Sequence, residues 1–195
     1  MSFSPKRRYS AVAVFSEDLE RVVLIHKLRP DWQAGKANLP GGKVEAEQDY
    51  INANVEDWQG THAEACDEVY RRCARRELRE ETGLDVAPTA LQLFCRLRFE
   101  SHEGDDAECC FFAARSDVDA ARTMEAERVF VADAAELIIK GRVRSYLEGS
   151  DGILRLAGIP TMPNLPYLVA MARQCLRGEG TGAWPLTIYE NGATP

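Results

Sequence analysis

A short acidic cluster carries the residue types best suited to chemistry in this sequence. Residues 76–84 read RELREETGL, so Glu77, Glu80 and Glu81 stand at i, i+3 and i+4. A helix with 3.6 residues per turn brings these carboxylates to one side, where like charges repel each other. Two arrangements relieve the repulsion. Water solvates the carboxylates on an outer face next to the neighbouring arginines, or a hard divalent cation such as Mg²⁺ binds them together with substrate phosphates.

Residues 62–82 are predicted to form the helix that positions this cluster. Apolar residues recur in the segment at spacings of three and four, which is typical of one buried stripe. The stripe consists of Cys66, Val69, Tyr70, Cys73, Ala74 and Leu78. Gly83 follows, and glycine readily adopts the left-handed backbone conformation that ends a helix. Upstream, residues 38–42 read NLPGG and predict a sharp bend, because Pro40 fixes φ and the two glycines allow angles that other residues resist.

Alternating and β-branched runs predict strands on both sides of this helix. The predicted strands are 9–16, 21–28, 91–99, 108–114 and 128–132, and further helices are 134–139 and 165–176. The order of elements predicts an α+β or mixed α/β fold in a single domain over residues 1–195. The C-terminal helix and apolar tail, within residues 150–195, are expected to pack on the domain or on a partner subunit.

Composition narrows the class of protein. Lys plus Arg number 24 and Asp plus Glu number 31, for a net charge of −7. This balance argues against a nucleic-acid polymer as partner and against a polybasic membrane anchor. No run approaches the roughly 20 apolar residues that span a bilayer, and no secretory signal is recognisable. The six cysteines have no metal-binding spacing, which favours reduced thiols in a cytoplasmic protein.

The bend and the acidic helix together resemble the signature of the Nudix hydrolases, and of their MutT-like members in particular. That signature reads Gly, five residues, Glu, seven residues, then Arg-Glu-apolar-x-Glu-Glu-x-Gly-apolar. Residues 76–84 match every fixed position of its second half, and Glu68 stands seven residues before Arg76. Gly42 falls at the signature glycine. The resemblance covers about residues 9–139 and implies an α/β/α sandwich with a mixed sheet, here followed by a C-terminal helical extension.

The sequence departs from the signature between its two halves. Residues 43–67 stand where the family has five residues, so residues 46–65 are interpreted as an insertion. Ungapped counting from Gly42 reaches Gln48, which is not a carboxylate. Glu47 is an alternative candidate for the first signature glutamate, whereas Glu68 is the better match because it keeps the spacing to Arg76. The insertion is either a lid or wall of the substrate pocket, or a self-packed surface excursion or dimer contact.

The family resemblance implies a magnesium- or manganese-dependent enzyme that hydrolyses a phosphoanhydride bond in a nucleoside diphosphate derivative. Carboxylates of the signature would bind the metal ion, namely Glu77, Glu80 and Glu81 with Glu68 in support. Gly42 would offer a backbone oxygen or a close approach, and Arg76 would orient the glutamates. The general base would be Glu80 or Glu81, or else a carboxylate of a later loop, Glu125 or Glu127. Basic and aromatic residues expected at the substrate are Lys43, Arg29, Trp32 and Trp58.

Two substrate markers of the family are missing downstream of the signature. Phe99 stands where ADP-ribose hydrolases tend to carry a proline, and residues 100–102 replace the tyrosine of dinucleoside polyphosphate hydrolases. Elimination leaves nucleoside triphosphates, oxidised ones included, which would be cleaved to monophosphate and pyrophosphate. The alternative is a non-catalytic Nudix-fold module that senses a nucleotide, although such modules usually lose the carboxylates that this chain keeps. Family members are often dimers, so a homodimer is expected.

Overall fold

A computed structural model describes residues 5–45, 48–49, 62–101, 104–148, 154–179 and 185–189. Within these ranges the chain forms ten strands and three α-helices. In chain order they are β1 (Arg7–Phe15), β2 (Arg21–His26), β3 (Ala37–Asn38), β4 (Gly41–Lys43), α1 (His62–Thr82), β5 (Gln92–Glu100), β6 (Asp106–Arg115), β7 (Arg128–Asp133), α2 (Ala134–Lys140), β8 (Arg142–Glu148), β9 (Leu154–Pro160), α3 (Leu165–Arg177) and β10 (Leu186–Tyr189).

Eight of the described strands build one mixed sheet. Its order is β10-β5-β6-β1-β2-β3, with β4 also paired to β1 and β7 to β2. β1 runs parallel to β6 and β10 runs parallel to β5, while the other pairs in the sheet are antiparallel. β8 and β9 form a separate antiparallel pair. The mixed sheet with helices on its two faces confirms the predicted fold class.

β1 pairs with different strands at its two ends, and this difference positions the bend that contains Gly42. These consecutive strands are paired at Phe15 and Val22, next to the turn that joins them. Further from the turn, β1 pairs instead with β4, through residues 9–11 and 41–43. A Cβ on Gly41 would lie 2.2 Å from the carbonyl oxygen of Ser10, so only glycine lets β4 approach β1 this closely. The bend that contains Gly42 is thereby fixed between the two separating strands.

The apolar stripe of α1 fixes the rotation of that helix over the sheet. α1 packs against β1, β4 and β6 on one face, while α3 packs against β1, β5 and β6 on the other. The described stripe residues are at most 2 % exposed, namely Val69, Tyr70, Cys73, Ala74 and Leu78. Burying one Val or Leu side chain stabilises a fold by about 1.5–3 kcal/mol. This stripe therefore holds the acidic side of α1 in one orientation beside β4.

Most predicted elements are confirmed, and two regions differ. α1 spans the predicted residues 62–82, and α3 ends one residue beyond its prediction. The predicted bend, residues 38–42, lies in a segment that contains the short strands β3 and β4, which form because β1 and β2 separate and leave edge groups to pair. The pair β8 and β9 was not predicted at all. Among the described residues, no helix is long and apolar enough to cross a membrane.

Candidate active site

The three signature carboxylates lie on the side of α1 that faces β4, at different depths. Glu81 is the deepest, with 7 % of its side chain exposed, compared with 15 % for Glu77 and 41 % for Glu80. The gradient follows from helix geometry, because Glu77 and Glu81 are four residues apart on the edge of the buried stripe, while Glu80 is turned toward solvent. The three residues lie on one side of the helix, as predicted from their spacing.

Glu81 is held by one cation and one backbone donor. Its Oε1 accepts a hydrogen bond from Lys27 Nζ at 3.0 Å, and its Oε2 accepts one from the Gly41 N–H at 2.7 Å. Burial raises the pKa of Glu81 to about 7, against the opposing effects of Lys27 and the Gly41 N–H. A carboxyl group with this pKa changes its charge near neutral pH.

Lys27 links Glu81 to a second buried carboxylate, that of Glu127. β2 and β7 pair His26 with Arg128, so the next residue outward on each strand, Lys27 and Glu127, face each other. Lys27 Nζ donates to Glu127 Oε2 at 2.7 Å, and the Leu28 N–H donates to Glu127 Oε1 at 3.0 Å. Burial disfavours the Lys27 charge, but Glu81 and Glu127 outweigh that effect and raise its pKa. One ammonium group thus pairs with two carboxylates from distant parts of the chain.

Arg76 pairs with two further glutamates of the signature, Glu77 and Glu80. Its Nη1 donates to Glu77 Oε1 at 2.8 Å and to Glu80 Oε2 at 3.0 Å, and its Nη2 donates to the Lys43 carbonyl at 3.2 Å. The opposite edge of the guanidinium group binds Asp49, through Nε at 3.1 Å and Nη2 at 3.0 Å. Arg76 therefore connects the signature glutamates to the backbone that follows β4.

Gly42 lies directly against the Glu77 carboxylate. A Cβ at this position would be 2.4 Å from the carboxyl carbon of Glu77 and 2.5 Å from each of its oxygens. Real atoms do not approach this closely, so glycine is required if Glu77 is to keep its position. The signature glycine is explained here by the close approach of the backbone to a functional carboxylate.

The donor set suits a hard divalent cation. Mg²⁺ and Mn²⁺ prefer carboxylate oxygens, and α1 presents those of Glu77, Glu80 and Glu81 together. Arg76 contacts one oxygen of Glu77 and one of Glu80, which leaves the second oxygen of each outside its hydrogen bonds. Within the described ranges, no three acidic, His or Cys side chains converge as a preformed cage. The carboxylates of the site outnumber Lys27 and Arg76, and the negative charge that remains suits a cation.

The structure brings together some of the predicted site residues and separates others. Those gathered around Lys27 and Arg76 are Glu77, Glu80, Glu81, Glu127, Gly42 and the backbone of Lys43. Glu125 is exposed, and Glu68 pairs with Arg72 at 2.8 Å rather than with Arg76. Arg29 and Trp32 are exposed in the loop after β2. Residues 46–47 and 50–61 of the predicted insertion, Trp58 among them, lie outside the described residues.

Two residues of the site, Lys27 and Asp49, were missed by sequence reasoning. Lys27 is the last charged residue of the predicted strand 21–28, and a lysine near the end of a largely apolar strand was an available signal. Its partners, however, are 54 and 100 residues away in sequence. Asp49 follows Gln48, the position reached by ungapped counting from Gly42, so the missed signal was an offset of one residue.

Comparisons with known proteins agree with this fold. Residues 5–144 match the family model described as NUDIX domain, and the chain therefore belongs to this family. A MutT NUDIX hydrolase from Burkholderia pseudomallei is 18 % identical with a TM-score of 0.51, covering 85 % of this chain and 96 % of that chain. The NUDIX domain of Shewanella oneidensis NrtR, complexed with ADP ribose, is 16 % identical with a TM-score of 0.56, covering 89 % and 90 %. A NUDIX hydrolase from Alicyclobacillus acidocaldarius is 14 % identical with a TM-score of 0.55, covering 89 % and 94 %. No curated protein matches the chain.

Proposed function

We propose that this protein is a metal-dependent hydrolase that cleaves a phosphoanhydride bond in a nucleoside diphosphate derivative. The proposed substrate is a nucleoside triphosphate, oxidised ones included, with monophosphate and pyrophosphate as products. One observation carries the proposal: the signature glutamates are retained and are gathered with Glu127 around Lys27 and Arg76. Membership of the NUDIX family supports the reaction class.

The metal would be held by Glu77, Glu80 and Glu81. When bound, Mg²⁺ or Mn²⁺ offsets charge that develops on phosphate oxygens and lowers the pKa of the attacking water. Arg76 holds one oxygen of Glu77 and one of Glu80, and Gly42 packs against Glu77, so both carboxylates need little reorganisation. Glu68 pairs with Arg72 and not with Arg76, which weakens its predicted role in supporting the metal ion.

The proton of the attacking water would be taken by a carboxylate of this site. Glu81 is buried and its carboxylate is oriented by Lys27 and the Gly41 N–H, which suits a proton acceptor at this site. Glu80 remains a second candidate on the same helix. Glu127 is the candidate from the later loop, because it is buried and oriented by Lys27 and the Leu28 N–H. Glu125 is exposed and has a weaker claim.

Substrate binding is proposed for exposed basic and aromatic residues of the chain. Lys43 and Arg29 would contact phosphates, because both are exposed cations. Trp32 is 57 % exposed, so its indole is available to stack on a base. Trp58 is retained as a candidate from the sequence alone.

A nucleotide-sensing module without catalysis is the competing function. The ADP ribose complex of the NrtR NUDIX domain shows that a domain of this fold binds such a ligand. Retention of Glu77, Glu80 and Glu81 favours the enzyme over the sensor. Metal binding does not separate the two functions, whereas turnover does.

Product analysis by ion-exchange chromatography tests the proposal. The protein is incubated with Mg²⁺ and a panel of canonical and oxidised nucleoside triphosphates, ADP-ribose, a dinucleoside tetraphosphate and a nucleotide sugar. We expect monophosphate and pyrophosphate from a triphosphate, and much less from a Glu81→Gln variant. Binding of a nucleotide without turnover of any compound would support the sensor instead. We also propose that the protein is a homodimer, and light scattering of the same sample tests this.

A further inference from the structure

A buried carboxylate outside the matched signature anchors the signature arginine. Asp49 is 1 % exposed, and its Oδ1 and Oδ2 accept hydrogen bonds from Arg76 Nε and Nη2 at 3.1 and 3.0 Å. Its Oδ2 also accepts the Glu45 N–H at 2.7 Å, and the Asp49 N–H donates to the Glu45 carbonyl at 2.9 Å. Two-pronged, charge-assisted pairs of this kind are strong and directional. Asp49 is therefore fixed to the backbone after β4 and fixes Arg76 in turn.

Asp49 occupies one whole edge of the Arg76 guanidinium group. Nε and Nη2 point at Asp49, which leaves Nη1 to donate to one oxygen of Glu77 and one of Glu80. Without Asp49, the same fork is free to form a two-pronged pair with Glu77 or Glu80. Such a pair would engage both oxygens of that glutamate, so fewer carboxylate oxygens would remain for a cation.

Glu68, which stands at the signature spacing from Arg76, makes different contacts. It lines the same cleft of about 410 Å³ as Asp49, but 43 % of its side chain is exposed. Its Oε1 accepts a hydrogen bond from Arg72 Nε at 2.8 Å, one helical turn away. An exposed ion pair within one helix contributes little and does not constrain Arg76.

We infer that Asp49 is the positioning residue that keeps the Glu77 and Glu80 carboxylates available to a divalent cation, in place of the glutamate at the signature spacing. The extra residues of this chain then begin after Asp49, rather than at residue 46. The inference rests on the proposed function for its consequence in catalysis. Its consequence for metal binding is independent of turnover.

Mn²⁺ binding by the full chain, measured by electron paramagnetic resonance without nucleotide, tests the inference. Asp49→Asn keeps the shape of the side chain and removes its charge, and Glu68→Gln does the same for the rival residue. Asp85→Asn is a matched control, because Asp85 forms the same two-pronged pair with Nε and Nη2 of the adjacent Arg75, at 2.8 and 3.1 Å. Asp85 and Arg75 have no contact with the signature glutamates among the described residues.

Asp49→Asn should weaken Mn²⁺ binding by about 10–100-fold, the usual effect of removing an outer-shell partner. The kcat of the hydrolysis should fall with it, while KM changes by less than about threefold because Asp49 is only 1 % exposed and acts through Arg76. Asp85→Asn should change Mn²⁺ affinity by less than about threefold. Equal losses in Asp49→Asn and Asp85→Asn, or a larger loss in Glu68→Gln, would overturn the inference.

A double-variant cycle separates positioning from a general effect on folding. In an Arg76→Gln background, Asp49→Asn should cause no further loss of Mn²⁺ affinity, because Asp49 acts through Arg76. Additive losses would refute that route. If Asp49→Asn does not fold, Arg76→Lys replaces it: the charge remains, the fork is lost, and Mn²⁺ affinity should fall. Wild-type protein that binds Mn²⁺ without turnover refutes the proposed function alone, while failure to bind Mn²⁺ refutes both.

Discussion

Gly42→Ala is the perturbation whose effect follows most directly from the geometry of the site. The added Cβ would lie 2.4 Å from the carboxyl carbon of Glu77, whereas ordinary contacts are 3.4–4 Å. The carboxylate must therefore move by about 1 Å or more to restore van der Waals contact. Because it ends a flexible side chain, we expect the free energy of unfolding to fall by only about 1 kcal/mol. A displacement of about 1 Å in a catalytic group costs on the order of 100-fold in rate.

Three measurements on Gly42→Ala check this reasoning, namely kcat, Mn²⁺ affinity and denaturant unfolding. Gly158→Ala on β9 is the matched control, because no described heavy atom lies within 4 Å of its added Cβ. The expected pattern is a large loss of kcat and Mn²⁺ affinity in Gly42→Ala with nearly normal stability, and wild-type behaviour in the control. A kcat within about threefold of wild type would refute the claim that Gly42 keeps Glu77 in a functional position.

Three further predictions concern the carboxylates around Lys27. Glu127→Gln should lower kcat by about 100-fold in steady-state assays, because Glu127 is buried at the site. Glu125→Gln should lower kcat by less than about threefold, because Glu125 is exposed. Equal effects of the two variants would contradict this assignment. Lys27→Met leaves two buried carboxylates without their shared cation, so urea unfolding in EDTA at pH 8 should show a loss of about 3 kcal/mol, and unchanged stability would count against the ion-pair account. Burial raises the pKa of Glu81 from 4.5 to about 7, so the folded chain binds this proton more tightly than the unfolded chain and metal-free stability should fall as pH rises between these values, by about 3 kcal/mol. Urea unfolding from pH 4 to 8 should show that slope in wild type and a shallower one in Glu81→Gln, whereas parallel curves would rule out Glu81 as its source.

Local patterns were sufficient to predict the helix that carries the chemistry. The apolar spacing of α1 and the stop at Gly83 predicted its bounds, and helix geometry alone placed Glu77, Glu80 and Glu81 on one side. These predictions succeeded because each depends on residues within a few turns of one another.

Contacts between distant segments were beyond the reach of those patterns. Lys27 reaches Glu127 only because β2 and β7 pair in a register that places His26 opposite Arg128, and no local pattern specifies this register. Asp49 was hidden by the interrupted signature, since its role is visible only when the backbone after β4 folds back onto Arg76. The pair β8 and β9 was missed because residues 142–148 and 154–160 alternate only in part between polar and apolar side chains.

The cationic partners explain how four carboxylates coexist in a partly buried site. Lys27 pairs with Glu81 and Glu127, and Arg76 pairs with Glu77 and Glu80, so two positive charges offset part of the four negative ones. Unpaired charges at these depths would be costly, since several are at most 15 % exposed. The account therefore requires that metal binding and the ion pairs of Lys27 and Arg76 depend on each other.

Hydrolysis of the best substrate of the panel, followed with Mg²⁺ and with EDTA, tests the central claim most directly. Wild-type protein should release products with Mg²⁺ and not with EDTA, and Glu81→Gln should lower the rate by at least about 100-fold while the protein stays folded. Folded wild-type protein that binds nucleotide without cleaving it, or cleavage that is indifferent to EDTA, would contradict the account.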